Sequence, residues 1–146
     1  MASDDLSRVL AIDYGTKRIG IAISDPLRMF AAPRGVIENG TGSMNELREL
    51  VTSENIRIVI VGIPKTLNNT ESDMTEEVIR FRDKLIQMLT PLGVSVVSRD
   101  ERLTSIMAET NIRSRELPKM KREKKSLRDE EAARILLQEY LDSKLK

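Results

Sequence analysis

Residues Leu10 to Asp25 read LAIDYGTKRIGIAISD, a pattern that predicts two strands joined by a tight turn. The apolar run that ends at Ile12 is typical of a strand buried on both faces. From Ile19 onward large and small residues alternate, which is the periodicity of a second strand. Gly15 is expected to supply the positive φ that a hairpin connection usually needs. The sequence therefore predicts a β-hairpin near the start of the chain.

Asp13 is the unexpected residue of this hairpin, because it ends an apolar strand. A carboxylate gains little from burial and needs a cation, a hydrogen-bond donor or water. Two interpretations are open at this point. Asp13 caps the turn, or it is a metal ligand at the carboxyl end of a central strand.

Composition restricts the chemistry that the chain can perform. With 146 residues, 40% hydrophobic and 32% charged, the sequence predicts one globular domain over residues 1–146. The chain contains no Cys and no His. Disulfides, thiolate catalysis, Ser-His-Asp triads and ordinary zinc sites are therefore excluded. A catalyst built from this sequence has to use carboxylates, Lys, Arg, hydroxyl groups and a hard cation.

Aromatic residues make up only 3% of the chain, which argues against a base-stacking platform. No apolar stretch has the length of a membrane span, and the N-terminus lacks the pattern of a signal peptide. We therefore expect no membrane partner and a cytoplasmic location.

Hydrophobic periodicity predicts a third strand, then helix, strand, helix, strand and two terminal helices. The expected ranges are Pro33–Glu38, Ser43–Val51 with Ser43 as its cap, Ile56–Val61, Ser72–Leu89, Val94–Ser98, Thr104–Arg113 and Asp129–Leu145. Residues 115–125 are expected to form a loop. The predicted fold is a mixed five-stranded α/β sheet, a three-strand meander followed by parallel strands, with helices on both faces. Ligands of such sheets bind at the carboxyl edge of the parallel strands.

The final helix carries an apolar stripe that begins at Asp129. The stripe consists of Ala132, Ala133, Leu136, Leu137 and Tyr140. This spacing directs Asp129 toward the sheet, whereas Glu131 is expected to face solvent. The alternative is that Asp129 is simply the N-cap of the helix, unless the helix begins one turn earlier with Ser126 as its cap.

Three carboxylates distant in sequence would then meet at one edge of the sheet. They are Asp13, either Asp100 or Glu101, and Asp129. Clustered carboxylates repel one another, so such a site calls for a bound cation or a raised pKa. Oxygen ligands favour Mg²⁺ or Mn²⁺. Two such ions, about 3.5–4 Å apart, would activate water and stabilise the leaving oxygen of a phosphodiester.

Four sequence blocks, in this order and at these separations, resemble the YqgF family, also described as RuvX. The blocks are AIDYGTKRIGIA at residues 11–22, VGIP at 61–64, DERLT at 100–104, and DEEAA with ILLQEYL at 129–141. The family comprises Holliday-junction-resolvase-like proteins and pre-16S rRNA nucleases, and the resemblance covers nearly the whole chain. One departure is the loop KTLNNT at residues 65–70, where the family often has Asn and Gly.

The resemblance implies an RNase H-like fold and a metal-dependent nuclease. It implies Asp13, Glu101 and Asp129 as catalytic residues and metal ligands, with Mg²⁺ or Mn²⁺ as the cofactor. The implied activity is hydrolysis of structured nucleic acid in the processing of the 5′ end of pre-16S rRNA. The alternative is a Holliday junction resolvase acting on branched DNA in recombination and repair.

Basic residues close to these carboxylates are expected to contact phosphates. The set is Lys17, Arg18, Arg102, Lys121, Arg122, Lys124 and Lys125. For the basic stretch before the final helix, the alternative is a solvated, self-repelling loop. The expected partners are precursor rRNA or branched DNA, together with ribosomal particles, and the expected state is a monomer or weak homodimer.

Two other classes of protein are alternatives. Residues 13–16 read DYGT and partly match the phosphate hairpin of actin-like and sugar kinases, but the chain is too short for the two domains that enclose a nucleotide. A non-catalytic nucleic-acid-binding module that keeps the fold is the other alternative.

Overall fold

The structure is a computed structural model that describes residues 6–63, 73–100 and 121–145. Eight regular elements and one 3₁₀ turn, Thr90–Leu92, lie within these residues. The strands are β1 Arg8–Asp13, β2 Arg18–Ser24, β3 Ala31–Glu38, β4 Ile56–Ile63 and β5 Ser95–Asp100. The helices are α1 Ser43–Ser53, α2 Asp73–Leu89 and α3 Lys121–Leu145. Within these described residues, no helix is sufficiently long and apolar to cross a lipid bilayer.

The five strands form one mixed sheet in the order β3-β2-β1-β4-β5. Strand β2 is antiparallel to both β1 and β3, whereas β4 is parallel to both β1 and β5. This order confirms the predicted meander followed by parallel strands. The carboxyl ends of β1, β4 and β5 consequently share one edge of the sheet.

Each face of the sheet buries a separate apolar layer, because successive side chains of a strand point to opposite faces. On one face, Leu10 and Ile12 of β1 pack with buried residues of α1 and α2. On the other face, Val9 and Ala11 pack with Leu136 and neighbouring residues of α3. The predicted helices on both faces are therefore confirmed, and we refer below to the α2 face and the α3 face.

The last helix begins eight residues earlier than predicted, at Lys121 instead of Asp129. The prediction of a loop at residues 115–125 is therefore wrong for residues 121–125. The stretch is rich in Lys, Arg and Glu, which favour helix, and contains no Gly or Pro. Asp129 thus lies inside the helix and is not its N-cap. The helix predicted over 104–113 lies outside the described residues.

A second correction concerns Glu131, which was expected to face solvent. Only 8% of this residue is exposed, and Ile135 is also buried. Arg134 donates to the Glu131 carboxylate through Nε at 3.1 Å and Nη2 at 2.8 Å. A bidentate guanidinium pair satisfies a carboxylate that burial alone would destabilise. Helix α3 is therefore buried over a wider arc than the stripe from Asp129 predicted.

Three further predictions change at the ends of elements. Gly15 does not have the positive φ expected of it, and a glycine fits there because a Cβ would overlap the backbone carbonyl of Arg18. The N-cap of α1 is Gly42, without a side-chain cap, and the Ser43 hydroxyl instead donates to the carbonyl of Gly40 at 2.8 Å. Strand β3 begins at Ala31, ahead of Pro33, which is tolerated because β3 is an edge strand.

Candidate active site at the carboxyl edge of the sheet

Asp13 is the last residue of β1, at the carboxyl edge of the parallel strands. Val9 and Ala11 of the same strand belong to the α3 face, so strand alternation places Asp13 on that face as well. The residue is half-buried. Its Cα is paired with the Cα of Gly20 in β2. Asp13 therefore lies beside Gly20, facing helix α3.

Asp129 approaches the same glycine from helix α3. A Cβ built on Gly20 would overlap the backbone carbonyl of Asp129 and lie 3.1 Å from the backbone N of Glu130. Only a residue without a side chain lets the helix lie this close to β2. Gly20 is also the register partner of Asp13, so Asp13 and the backbone of Asp129 both lie next to this glycine.

Arg18 contributes a guanidinium to this group. It is the first residue of β2, two positions before Gly20, and so points to the same face. Its Nε donates to Oδ2 of Asp129 at 3.2 Å. The Arg18 and Asp129 side chains are 23% and 21% exposed, so the ion pair is mostly shielded from solvent.

Asp100 ends β5 at the same edge but on the other face. Within β5, Val97 packs against the α3-face core, whereas Val96 packs against the α2-face core. Ser98 accepts a hydrogen bond from Arg82 of α2 at 3.0 Å. Alternation therefore places Asp100 on the α2 face, opposite to Asp13. Glu101 and Arg102 lie outside the described residues.

The residue after Asp13 fixes the end of β1 from the opposite face. The Tyr14 hydroxyl donates to Oε2 of Glu77 in α2 at 2.6 Å. The Tyr14 ring packs on Phe81, with 4.7 Å between ring centroids. Asn39 holds the hairpin that follows, donating through Nδ2 to the carbonyl of Gly15 at 2.8 Å. The backbone that carries Asp13 is thus held by contacts on both sides of the sheet.

The donor set on the α3 face suits a hard divalent cation. Among residues 6–63, 73–100 and 121–145, no three His, Cys, Asp or Glu side chains come together as a metal site. Asp13 and Asp129 nevertheless supply carboxylate oxygens beside Gly20. Magnesium is commonly held by one or two carboxylates and completes its coordination with water and substrate phosphates. The described residues therefore fit a Mg²⁺ or Mn²⁺ ion that is also coordinated by a substrate.

The predicted phosphate-contacting residues are placed only in part. Lys17 is exposed in the hairpin next to Arg18. Lys121, Arg122, Lys124 and Lys125 lie in the first two turns of α3, and their side chains are not among those described. These four residues and Asp129 nevertheless belong to one helix, within nine residues of one another.

Sequence comparison gives the family of the chain. A family model described as RuvX, Holliday junction resolvase, matches residues 7–143. The chain belongs to the RuvX family. A RuvX relative from Endomicrobium trichonymphae, named "Putative pre-16S rRNA nuclease", is 39% identical over 140 residues, which are 94% of this chain and 96% of the relative. A protein of the same name from Porphyromonas gingivalis is 39% identical over 139 residues, 94% of this chain and 98% of its own length.

Solved structures agree on the fold of this RuvX protein. Thermus thermophilus RuvC in complex with a Holliday junction substrate superposes with a TM-score of 0.59 at 15% identity, covering 95% of this chain and 96% of RuvC. The fowlpox virus resolvase in complex with Holliday junction DNA gives a TM-score of 0.56 at 16% identity, covering 95% and 99% of the two chains. At these identities the likeness concerns the fold, which is RuvC-like and RNase H-like as the sequence predicted.

Sequence reasoning missed one residue of the candidate site, Gly20, and one contact within it, the ion pair of Arg18 and Asp129. Gly20 interrupts a strand of large apolar residues, and a glycine within a strand is a known sign of close backbone approach. That signal was available in the sequence. The ion pair of Arg18 and Asp129 joins residues 111 positions apart and had no sequence signal.

The hydrogen bond of Tyr14 makes stability depend on pH in a specific direction. Burial, and then the hydrogen bond to Glu77, raise the pKa of Tyr14 above its usual 10.0. A raised pKa means that folding favours the neutral phenol, so this contribution is complete below pH 10 and is lost above it. We expect Tyr14→Phe to lower the free energy of unfolding by about 1–2 kcal/mol at pH 8. Urea denaturation measures the difference.

At pH 11 the difference in the free energy of unfolding between wild type and Tyr14→Phe should be smaller than at pH 8. Only the wild type has a phenol at this position, and its ionisation beside Glu77 destabilises the folded state. Glu77→Gln, which keeps an acceptor oxygen but removes the charge, should weaken the loss of stability at high pH. An equal difference between wild type and Tyr14→Phe at both pH values would contradict this account of Tyr14.

Proposed function

We propose that this RuvX protein is a metal-dependent nuclease that cleaves structured RNA in the maturation of the 5′ end of pre-16S rRNA. The observation that supports it most is the convergence of Asp13 and Asp129 on Gly20, at the carboxyl edge of an RNase H-like sheet. The names of the 39%-identical relatives favour precursor rRNA as the substrate.

Asp13, Glu101 and Asp129 are the proposed catalytic carboxylates and metal ligands, with Mg²⁺ or Mn²⁺ as the cofactor. Glu101 is preferred to Asp100 because Asp100 lies on the α2 face, away from the other two carboxylates. A divalent cation in this position supplies an activated water and charge stabilisation for the leaving oxygen. The contribution of the chain is to hold the carboxylates in place, through the β1–Gly20–α3 contact on one face and Tyr14 on the other.

The proposed substrate contacts are the basic residues near this edge. The set is Lys17, Arg18, Arg102, Lys121, Arg122, Lys124 and Lys125. Neutralising phosphates in this way makes binding fall steeply with salt. We further propose that residues 1–146 form one nuclease domain, a monomer or weak homodimer that acts in the cytoplasm on free or ribosome-associated precursor RNA.

Cleavage of branched DNA is the second candidate function. The description of the family model as Holliday junction resolvase favours it. Symmetric cleavage of a four-way junction uses two active sites related by a two-fold axis, so this function requires a dimer.

The test is a cleavage assay with two substrates in parallel. A transcript carrying the precursor 5′ end of 16S rRNA and a synthetic four-way DNA junction are each incubated with the protein and Mg²⁺ or Mn²⁺. Asp129→Asn and a chelator serve as controls. We expect the wild type to cut the transcript at a defined position, and we expect both controls to prevent this.

The alternatives give different results. Paired, symmetric nicks in the junction with an intact transcript would favour the resolvase. Tight RNA binding without cleavage of either substrate at any metal concentration would contradict the nuclease and favour a non-catalytic binding module.

A further inference from the structure

The ion pair between Arg18 and Asp129 suggests a second role for a residue that the sequence assigned to phosphate contact. Asp129 is a proposed metal ligand, yet its Oδ2 already accepts a hydrogen bond from Arg18 Nε at 3.2 Å. A guanidinium and a divalent cation beside the same carboxylate repel each other, so the Arg18 guanidinium weakens the binding of a cation to Asp129.

The negative charges of Asp13 and Asp129 call for a positive charge beside them, which the Arg18 guanidinium supplies. Asp13 and the backbone of Asp129 both lie next to Gly20, and neighbouring carboxylates destabilise each other unless a positive charge offsets them. The Arg18–Asp129 pair is only about one-fifth exposed, so water screens it incompletely. Arg18 therefore stabilises the folded site before any metal is bound.

The hairpin geometry gives Arg18 room to leave Asp129. It is the first residue of β2, directly after the exposed residues Thr16 and Lys17. Across the strand pair its register partner is Glu38, the exposed last residue of β3. Arg18 therefore lies at the end of its strand, among exposed residues of the protein surface.

We propose that Arg18 is the internal counterion of Asp129, that a divalent cation displaces it, and that the released guanidinium then contacts the substrate phosphate. This inference rests on the proposed metal-dependent nuclease. It adds an order of events, in which metal binding makes Arg18 available to the nucleic acid. Arg18 accordingly opposes metal binding in the free protein and favours nucleic-acid binding in the metal-loaded protein.

The first test measures Mn²⁺ affinity by calorimetry in the absence of nucleic acid, so it does not depend on activity. Arg18→Gln removes the competing guanidinium and should bind Mn²⁺ about three- to tenfold more tightly than the wild type. Lys17→Gln is the matched control, because it removes the same charge from the neighbouring position of the hairpin. It should change Mn²⁺ affinity by less than about twofold, since Lys17 is exposed and its charge is screened.

The second readout is RNA binding with and without Mn²⁺. Wild-type affinity should rise with Mn²⁺ by a larger factor than the affinity of Arg18→Gln, because only the wild type releases a guanidinium. If circular dichroism shows that Arg18→Gln does not fold, Arg18→Lys replaces it. Its non-planar cation pairs less well with a carboxylate, so it too should bind Mn²⁺ more tightly than the wild type.

The outcomes separate this inference from the function on which it rests. If the wild type binds Mn²⁺ and Arg18→Gln binds it with equal or lower affinity, the counterion role is overturned and the nuclease proposal stands. The same would follow if Lys17→Gln tightened Mn²⁺ binding as much as Arg18→Gln. Absence of Mn²⁺ binding in every variant would overturn both.

Discussion

Replacement of Asp13 by Asn should reduce metal-dependent cleavage by more than about 100-fold while the protein stays folded. The amide is nearly isosteric with the carboxylate but carries no charge, so it binds a divalent cation poorly. Asp13 ends β1 and is half-buried outside the apolar core, so the substitution leaves the two core layers intact. Cleavage rates at saturating Mn²⁺, together with circular dichroism and thermal unfolding, check both parts of the prediction.

Asp100→Asn is the matched control for Asp13→Asn. Both aspartates end parallel strands at the same edge of the sheet, but Asp100 lies on the α2 face. The control should retain activity within about threefold of the wild type, in contrast to a ligand substitution. If Asp13→Asn cleaves like the wild type, or if the two variants lose activity equally, the assignment of the site to the α3 face is wrong.

The second large effect concerns packing. Gly20→Ala should lower the free energy of unfolding by about 2–3 kcal/mol and should also impair cleavage. The added methyl group would overlap the carbonyl of Asp129 and crowd the backbone N of Glu130. Backbone atoms cannot rotate away as a side chain can, so helix α3 must move and carry Asp129 away from Asp13.

Gly40→Ala controls for the general effect of replacing glycine. A Cβ on Gly40 meets no atom within 4 Å, and its backbone is not among the positive-φ positions of the described chain. The free energy of unfolding of this variant should lie within about 0.5 kcal/mol of the wild-type value, and the variant should retain full activity. Equal stability of Gly20→Ala and Gly40→Ala in urea titrations would contradict the close approach of α3 to β2.

The sheet was predictable because each strand is indicated by the pattern of residues that are neighbours in the sequence. The alternation from Ile19 to Ile23 specifies a strand through its side-chain period, whereas the short run of β4 indicates a buried strand through its β-branched residues. The start of α3 was not predictable in the same way. Residues 121–128 are nearly all charged and have no apolar period to indicate a helix, so the prediction placed its beginning at the first apolar stripe.

For the candidate site, the sequence indicates residue types more than geometry. The sequence alone could not choose between Asp100 and Glu101, because it does not show which face of the sheet Asp100 occupies. That face depends on the register of β5 against β4 and on which helix packs on each side, and both are tertiary properties. The partnership of Arg18 with Asp129 likewise depends on how α3 crosses β2.

Crystals grown with Mn²⁺ test the central claim most directly, because manganese is located by its anomalous scattering. The account predicts a peak within about 2.5 Å of carboxylate oxygens of both Asp13 and Asp129, and the loss of that peak in Asp13→Asn. A map with no peak beside Gly20, or with manganese bound only elsewhere in wild-type crystals, would contradict it.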